Sequence, residues 1–90
     1  MPSAVAQQIA KGHAWSKHQG EFPEYSTADE FAQHIDTVMK NPSAAKKLAK
    51  GREAYWDDGS KTIVITDPNS PDFGTAFRPK GGKAYYDNLK

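Results

Sequence analysis

The sequence predicts an α+β domain in which N-terminal helices pack on a small antiparallel sheet. Two observations carry that prediction. Apolar residues recur at helical spacing up to about residue 50, and beyond Gly51 the chain changes to aromatic and β-branched residues broken by turn signals. Helices first and strands afterwards is the pattern of a sheet covered on one face.

The first helix is read from Ala4 to about Trp15. The stretch is rich in alanine and glutamine, Val5, Ile9 and Ala10 stand at helical spacing, and Ser3 can cap the start. Gly12 weakens its end. Thr27 and Glu30 form a capping box for a second helix, in which Phe31, Ile35, Val38 and Met39 make one apolar face until Asn41 and Pro42 stop it. Ser43 can cap a short third helix, Ala44 to Lys50, with Gly51 marking its end.

Strands then follow. "REAYWD" and "KTIVITD" flank an Asp58-Gly59 turn and form a hairpin, a Pro/Asn/Ser loop leads to "GTAFRP", and "KAYYDN" supplies a fourth strand. The sheet face away from the helices is expected to be open to a ligand. With 90 residues the chain is one domain, helical over 1–50 and sheet over 51–90. It has no cysteine, so disulfides and thiolate zinc sites are excluded and the fold rests on packing. No apolar run approaches the ~20 residues that span a bilayer, and no signal-peptide pattern opens the chain.

The net charge of +1 conceals an asymmetry. Residues 1–42 hold three lysines against five acids, whereas 43–90 hold nine basic residues against six. Lys46, Lys47, Lys50 and Arg52 form one basic group, and Arg78, Lys80 and Lys83 another. Such clusters attract phosphate even when total charge is near zero.

Of the three histidines, His13 and His18 are candidates for chemistry. His13 and His18 are five residues apart, which on a continuous α-helix places them on different faces, so they form no standard zinc pattern. His18 follows Lys17 and precedes Gln19-Gly20, a setting at or just past a helix end. An imidazole there can exchange protons near neutral pH while the ammonium steadies a phosphate. His34, one residue before Ile35 in the second helix, reads as an ordinary helix residue. In "GTAFRP" the strand period puts Thr75 and Phe77 on one face and Ala76 and Arg78 on the other. A hydroxyl beside an aromatic on one face suits a phosphate and a base. Walker, dinucleotide and HExxH motifs are all missing from the sequence.

Taken together, "KHQGEF", two helices and a strand carrying "GTAF" resemble the C-terminal nuclease domains of the colicin D family. The match covers Lys17, His18, Gly20, Glu21 and Phe22, then Thr75 and Phe77, in order over residues 15–90. The wider pattern, "GREAYWDDGSKTIVITDP" then "GTAFRPKGGKAYY", is similar to barnase, colicin and RelE type toxin domains of bacterial polymorphic toxins. The resemblance implies a metal-independent endoribonuclease without cofactor that acts on RNA, with tRNA the leading substrate. It implies His18 as the catalytic proton carrier, Lys17 and Thr75 at the scissile phosphate, and His13 as a second acid or base. Phe77, Arg78, Lys80 and Arg52 would contact RNA, and so would Trp15, which stands where the family has a further lysine. A cognate immunity protein, a monomeric free state, delivery as part of a larger toxin and action in a target-cell cytoplasm are implied as well. Alternatives are a ribosome-dependent mRNA endonuclease and a non-catalytic RNA-binding module.

Overall fold

A computed structural model describes residues 2–90 and has the expected α+β architecture, with N-terminal helices packed on a four-stranded antiparallel sheet. The first helical segment runs as α1 (Ala4–Ile9), a π turn (Ala10–Ala14) and α2 (Trp15–His18), and closes in a 3₁₀ turn (Gln19–Glu21). Ser3 Oγ accepts the N–H of Ala6, as its position before the helix suggested. α3 (Ala28–Lys40) begins with the predicted capping box: Thr27 Oγ1 accepts from Glu30 N, while the Glu30 carboxylate accepts from Ser26 N and Thr27 N.

The sheet is a meander in the order β1 (Ala44–Lys47), β2 (Glu53–Asp57), β3 (Thr62–Thr66), β4 (Gly74–Phe77), with β1 and β4 at its edges. Its register pairs Ala44 with Trp56, Trp56 with Ile63 and Ile63 with Phe77. Strand alternation then separates two apolar clusters. Tyr55, Val64 and Ala76 face the helices, where Ile9, Phe22, Phe31, Ile35 and Val38 complete the larger cluster. Ala54, Trp56, Ile63 and Ile65 face the other way and meet Leu48 and Tyr86. β3 is therefore buried on both sides, which is why "TIVI" is an unbroken run rather than an alternation.

Four expectations are corrected. Ala44–Lys50 is not a helix: Ala44–Lys47 pair with β2, and only Ala49–Gly51 form a 3₁₀ turn. Propensity alone does not decide so short a segment: pairing with β2 satisfies the backbone and directs Leu48 into the second cluster. The boundary between helical and sheet halves thus falls before Ala44 and not at residue 50. "KAYYDN" is not a strand but a helix, α4 (Lys83–Asp87), whose Tyr86 is buried against Trp56 and Ile63 while Lys83 pairs with Asp87 one turn on. As a result the sheet face expected to be open is partly covered by α4.

Two glycines are fixed by close approach. A Cβ on Gly12 would lie 2.7 Å from the Asp72 side chain, so the π turn and the loop before β4 touch only because Gly12 has none. Gly74 has φ +133, and a Cβ there would lie 1.9 Å from the Ile65 carbonyl oxygen.

Candidate active site

Trp15 N–H donates to the Ala10 carbonyl five residues back, the mark of a π turn, which adds a residue to the helix and turns its last stretch relative to α1. His13 and His18 were expected on different faces, yet both rings reach the same stretch of chain. His13 Nδ1 is 2.5 Å from Asp72 Oδ2 just before β4, and the His18 ring stacks on Phe77 at the other end of that strand, 5.2 Å between centroids. His13 is 73% exposed, whereas the His18 side chain is only 16% exposed.

The His18 ring is held on its second side by a carboxylate. Its Nδ1 lies 2.6 Å from Glu21 Oε2, one short turn on. Donation from Nδ1 to an ionised carboxylate fixes the tautomer and leaves Nε2 with its lone pair. That nitrogen has no hydrogen-bond partner among the described residues, so it is available as a base. Glu21 is itself fixed, because its Oε1 accepts the Arg78 backbone N–H at 2.9 Å and its carbonyl accepts from Arg78 Nη1 at 2.7 Å. Glu21 stands in the matched "KHQGEF" run, and the resemblance assigns it no role. The i, i+3 spacing from His18 was the available signal.

Arg78 takes a different part from the one expected of it. Its Nε donates to the Ser60 carbonyl at 2.7 Å, its Nη1 and Nη2 form a fork on the Glu24 carboxylate, and its guanidinium lies 4.4 Å above the Phe22 ring. The hydrogen bond from Arg78 lowers the Glu24 carboxyl to about 2, and Glu24 in turn raises Arg78. With most of its donors committed, the group ties β4 to the segment after α2 and has little left for a phosphate.

Among the remaining predicted residues, Thr75 stands two positions before Phe77 on the same face of β4, opposite Ile65, and its hydroxyl makes no hydrogen bond among the described residues. Lys17 and Lys80 are exposed and form no ion pair among those residues, so both are available to an anion. Trp15 packs on the larger cluster with its ring 5.5 Å from Phe31, a core position apart from the His18 group. Arg52 lies at the far end of the sheet, donating to the carbonyls of Ala49 and Lys90. Neither joins the site.

His34, read from sequence as ordinary, anchors a polar junction. Its Nε2 meets the hydroxyls of Thr62 at 2.9 Å and Ser60 at 3.2 Å, and Ser60 donates to Asp57 Oδ2 at 2.5 Å. Burial, and then the charge of Arg78, lowers its pKa. The ring also borders an open depression of about 460 Å³ with Glu24, Tyr25 and Thr37. Among the described residues no group of three or more His, Asp or Glu side chains is placed to hold a metal ion, and no helix is long and apolar enough to cross a membrane.

No family model matches the chain, and no curated protein sequence matches it. The site is therefore defined by its geometry: a carboxylate-oriented imidazole on an aromatic ring, with a free lysine before it in the chain and a free hydroxyl on the neighbouring strand.

Proposed function

We propose that this chain is a metal-independent endoribonuclease domain of the toxin type, cleaving RNA by attack of a ribose 2′-hydroxyl on the adjacent phosphate. The observation that carries the reading is the hydrogen bond from His18 Nδ1 to Glu21 with the ring stacked on Phe77, which leaves Nε2 free to act as a base. His18 Nε2 takes the 2′-hydroxyl proton. The 2′-oxygen then bonds to phosphorus, the bond to the 5′-oxygen breaks, and that oxygen takes a proton from solvent. The products are a 2′,3′-cyclic phosphate and a 5′-hydroxyl end.

Lys17 supplies positive charge to the phosphate oxygens as they gain charge in the transition state. The Thr75 hydroxyl donates to the same group. Glu21 keeps the imidazole in the reactive tautomer, as a carboxylate does for histidine in other acyl- and phosphoryl-transfer sites. His13, pinned by Asp72 at the opposite end of β4, has a supporting role in this scheme. The sequence resemblance adds tRNA as the first substrate to examine, and with it a cognate immunity protein as partner.

The test is incubation of the purified chain and of His18→Ala with total RNA and with tRNA, in EDTA, followed by end-group analysis. Discrete fragments with cyclic phosphate ends from the native chain alone are the expected result. Intact RNA from both proteins, on and off the ribosome, overturns the reading.

A further inference from the structure

We propose that Tyr85, and not Phe77, is the surface on which an unpaired nucleobase stacks beside the reacting phosphate. The proposal rests on the ribonuclease reading for the identity of the ligand, and on geometry for the choice of residue. Phe77 is already engaged on several sides. The His18 ring lies over it at 5.2 Å and 25°, the Tyr85 ring meets it edge-on at 5.3 Å and 79°, and the rest packs on the second apolar cluster with Ile63 and Trp56. Phe77 is only partly exposed, and the face that would take a base is the one the His18 ring already covers.

Tyr85 is the free member of the row. It is 41% exposed, the most open of the three exposed large hydrophobic side chains among the described residues, ahead of Phe73 at 37% and Val5 at 36%. α4 makes this possible, because helical spacing buries Tyr86 beneath the helix and turns Tyr85 outward onto the Phe77 edge. The contact with Phe77 holds the tyrosine ring at a defined angle. An ordered, exposed ring is a stacking platform that costs little entropy on binding.

Reach and charge then favour a base over an apolar side chain of a protein. Two ring-to-ring steps of about 5 Å separate Tyr85 from His18, the range over which a nucleotide carries its own base or its neighbour's away from the 2′-oxygen. Lys80 lies in the turn between β4 and α4, and Lys17 beside His18, so free cations stand in the chain at both ends of the row. Phe77 becomes the support that couples platform to base catalyst.

The experiment is fluorescence anisotropy with a short labelled single strand, fully 2′-O-methylated so that it cannot be cleaved, against the native chain, Tyr85→Ala and Tyr85→Phe. Tyr85→Ala is expected to weaken binding roughly tenfold. Tyr85→Phe retains the ring and stays within about threefold, and cooperative urea unfolding shows that all three proteins are folded under the binding conditions. A duplex of the same sequence is insensitive to either change. Equal affinity of Tyr85→Ala and the native chain overturns the platform while leaving cleavage by His18 intact. Binding that depends on Tyr85 without cleavage of unmodified RNA keeps the platform and removes the nuclease reading. Failure of the native chain to bind any strand overturns the platform.

Discussion

Glu21 and His18 share a hydrogen bond of 2.6 Å from a 3₁₀ turn to the end of the helix before it, and the same carboxylate accepts the Arg78 N–H with its other oxygen. One side chain thereby links the imidazole to the end of β4. Removing the charge but not the shape tests that link. Glu21→Gln is expected to lower kcat for RNA cleavage at least about tenfold with KM nearly unchanged, because the amide permits the wrong imidazole tautomer. His18→Ala is expected to lose more, about 10²–10⁴-fold. Imidazole nitrogen chemical shifts check the cause independently: native His18 protonated at Nδ1, Glu21→Gln a mixture.

Arg78 and Lys17 are both cations near the site, and salt separates their roles. Lys17 is open to phosphate, so Lys17→Ala should reduce the slope of log affinity against log salt by about one. Arg78→Ala should leave the slope unchanged and lower stability by about 2 kcal/mol, since the Ser60 and Glu21 carbonyls lose a charged donor. Urea unfolding and salt titrations of RNA binding measure the two effects. A changed slope in Arg78→Ala would return the residue to the phosphate.

Acid stability should decline in two stages. Burial and the nearby Arg78 charge lower the His34 pKa, so below about pH 6.5 the unfolded chain takes up a proton that the folded chain resists, and stability falls as pH falls. The carboxyls of Glu24 and Asp36 are lowered by hydrogen bonds from Arg78 and Lys40, so their contribution is complete above the ordinary carboxylate range and lost as pH falls through the lowered values. Urea midpoints measured from pH 8 to pH 3 should be level, then slope gently below about 6.5, then steeply below about 4. His34→Gln should abolish the first slope and keep the second.

Gly74→Ala is expected to be severe. The added Cβ would meet the Ile65 carbonyl, and φ +133 is closed to alanine, so a loss of about 3 kcal/mol or more is expected. For a chain of this size that lowers Tm by at least about 12 °C. Gly12→Ala meets only the Asp72 side chain, which can move aside, and should lower Tm less while separating His13 from Asp72.

Much of this molecule was legible before any coordinates. The capping box at Thr27 and Glu30, the apolar face of α3 and the unbroken β3 run are local signals that tertiary packing reinforces. What failed was decided by distant partners. "AAKKLAK" has strong helix propensity, yet β2 lies beside it and Leu48 has a cluster to enter; "KAYYDN" carries two adjacent β-favouring tyrosines, yet as a helix it buries Tyr86 in the second cluster. At the candidate site, His18, Phe77 and Thr75 stand out by type and order, and the fold sets the His18 ring on Phe77. The Glu21 bond to His18 is hidden in the sequence because it depends on a 3₁₀ turn, and the Arg78 contacts are hidden because Glu24, distant in sequence, reaches it only in the fold.

The π turn between Ala10 and Ala14 makes the direction of His18 a matter of counting. Each residue of an α-helix turns the chain by about 100°, so if the same residues ran as a regular α-helix without the π turn, everything after Ala14 would swing by about that amount. His18 would leave Phe77 with every side chain at the site still present. The information that aims the imidazole is thus held in the π turn between Ile9 and Trp15, and a comparison of side-chain identities alone would not register its loss.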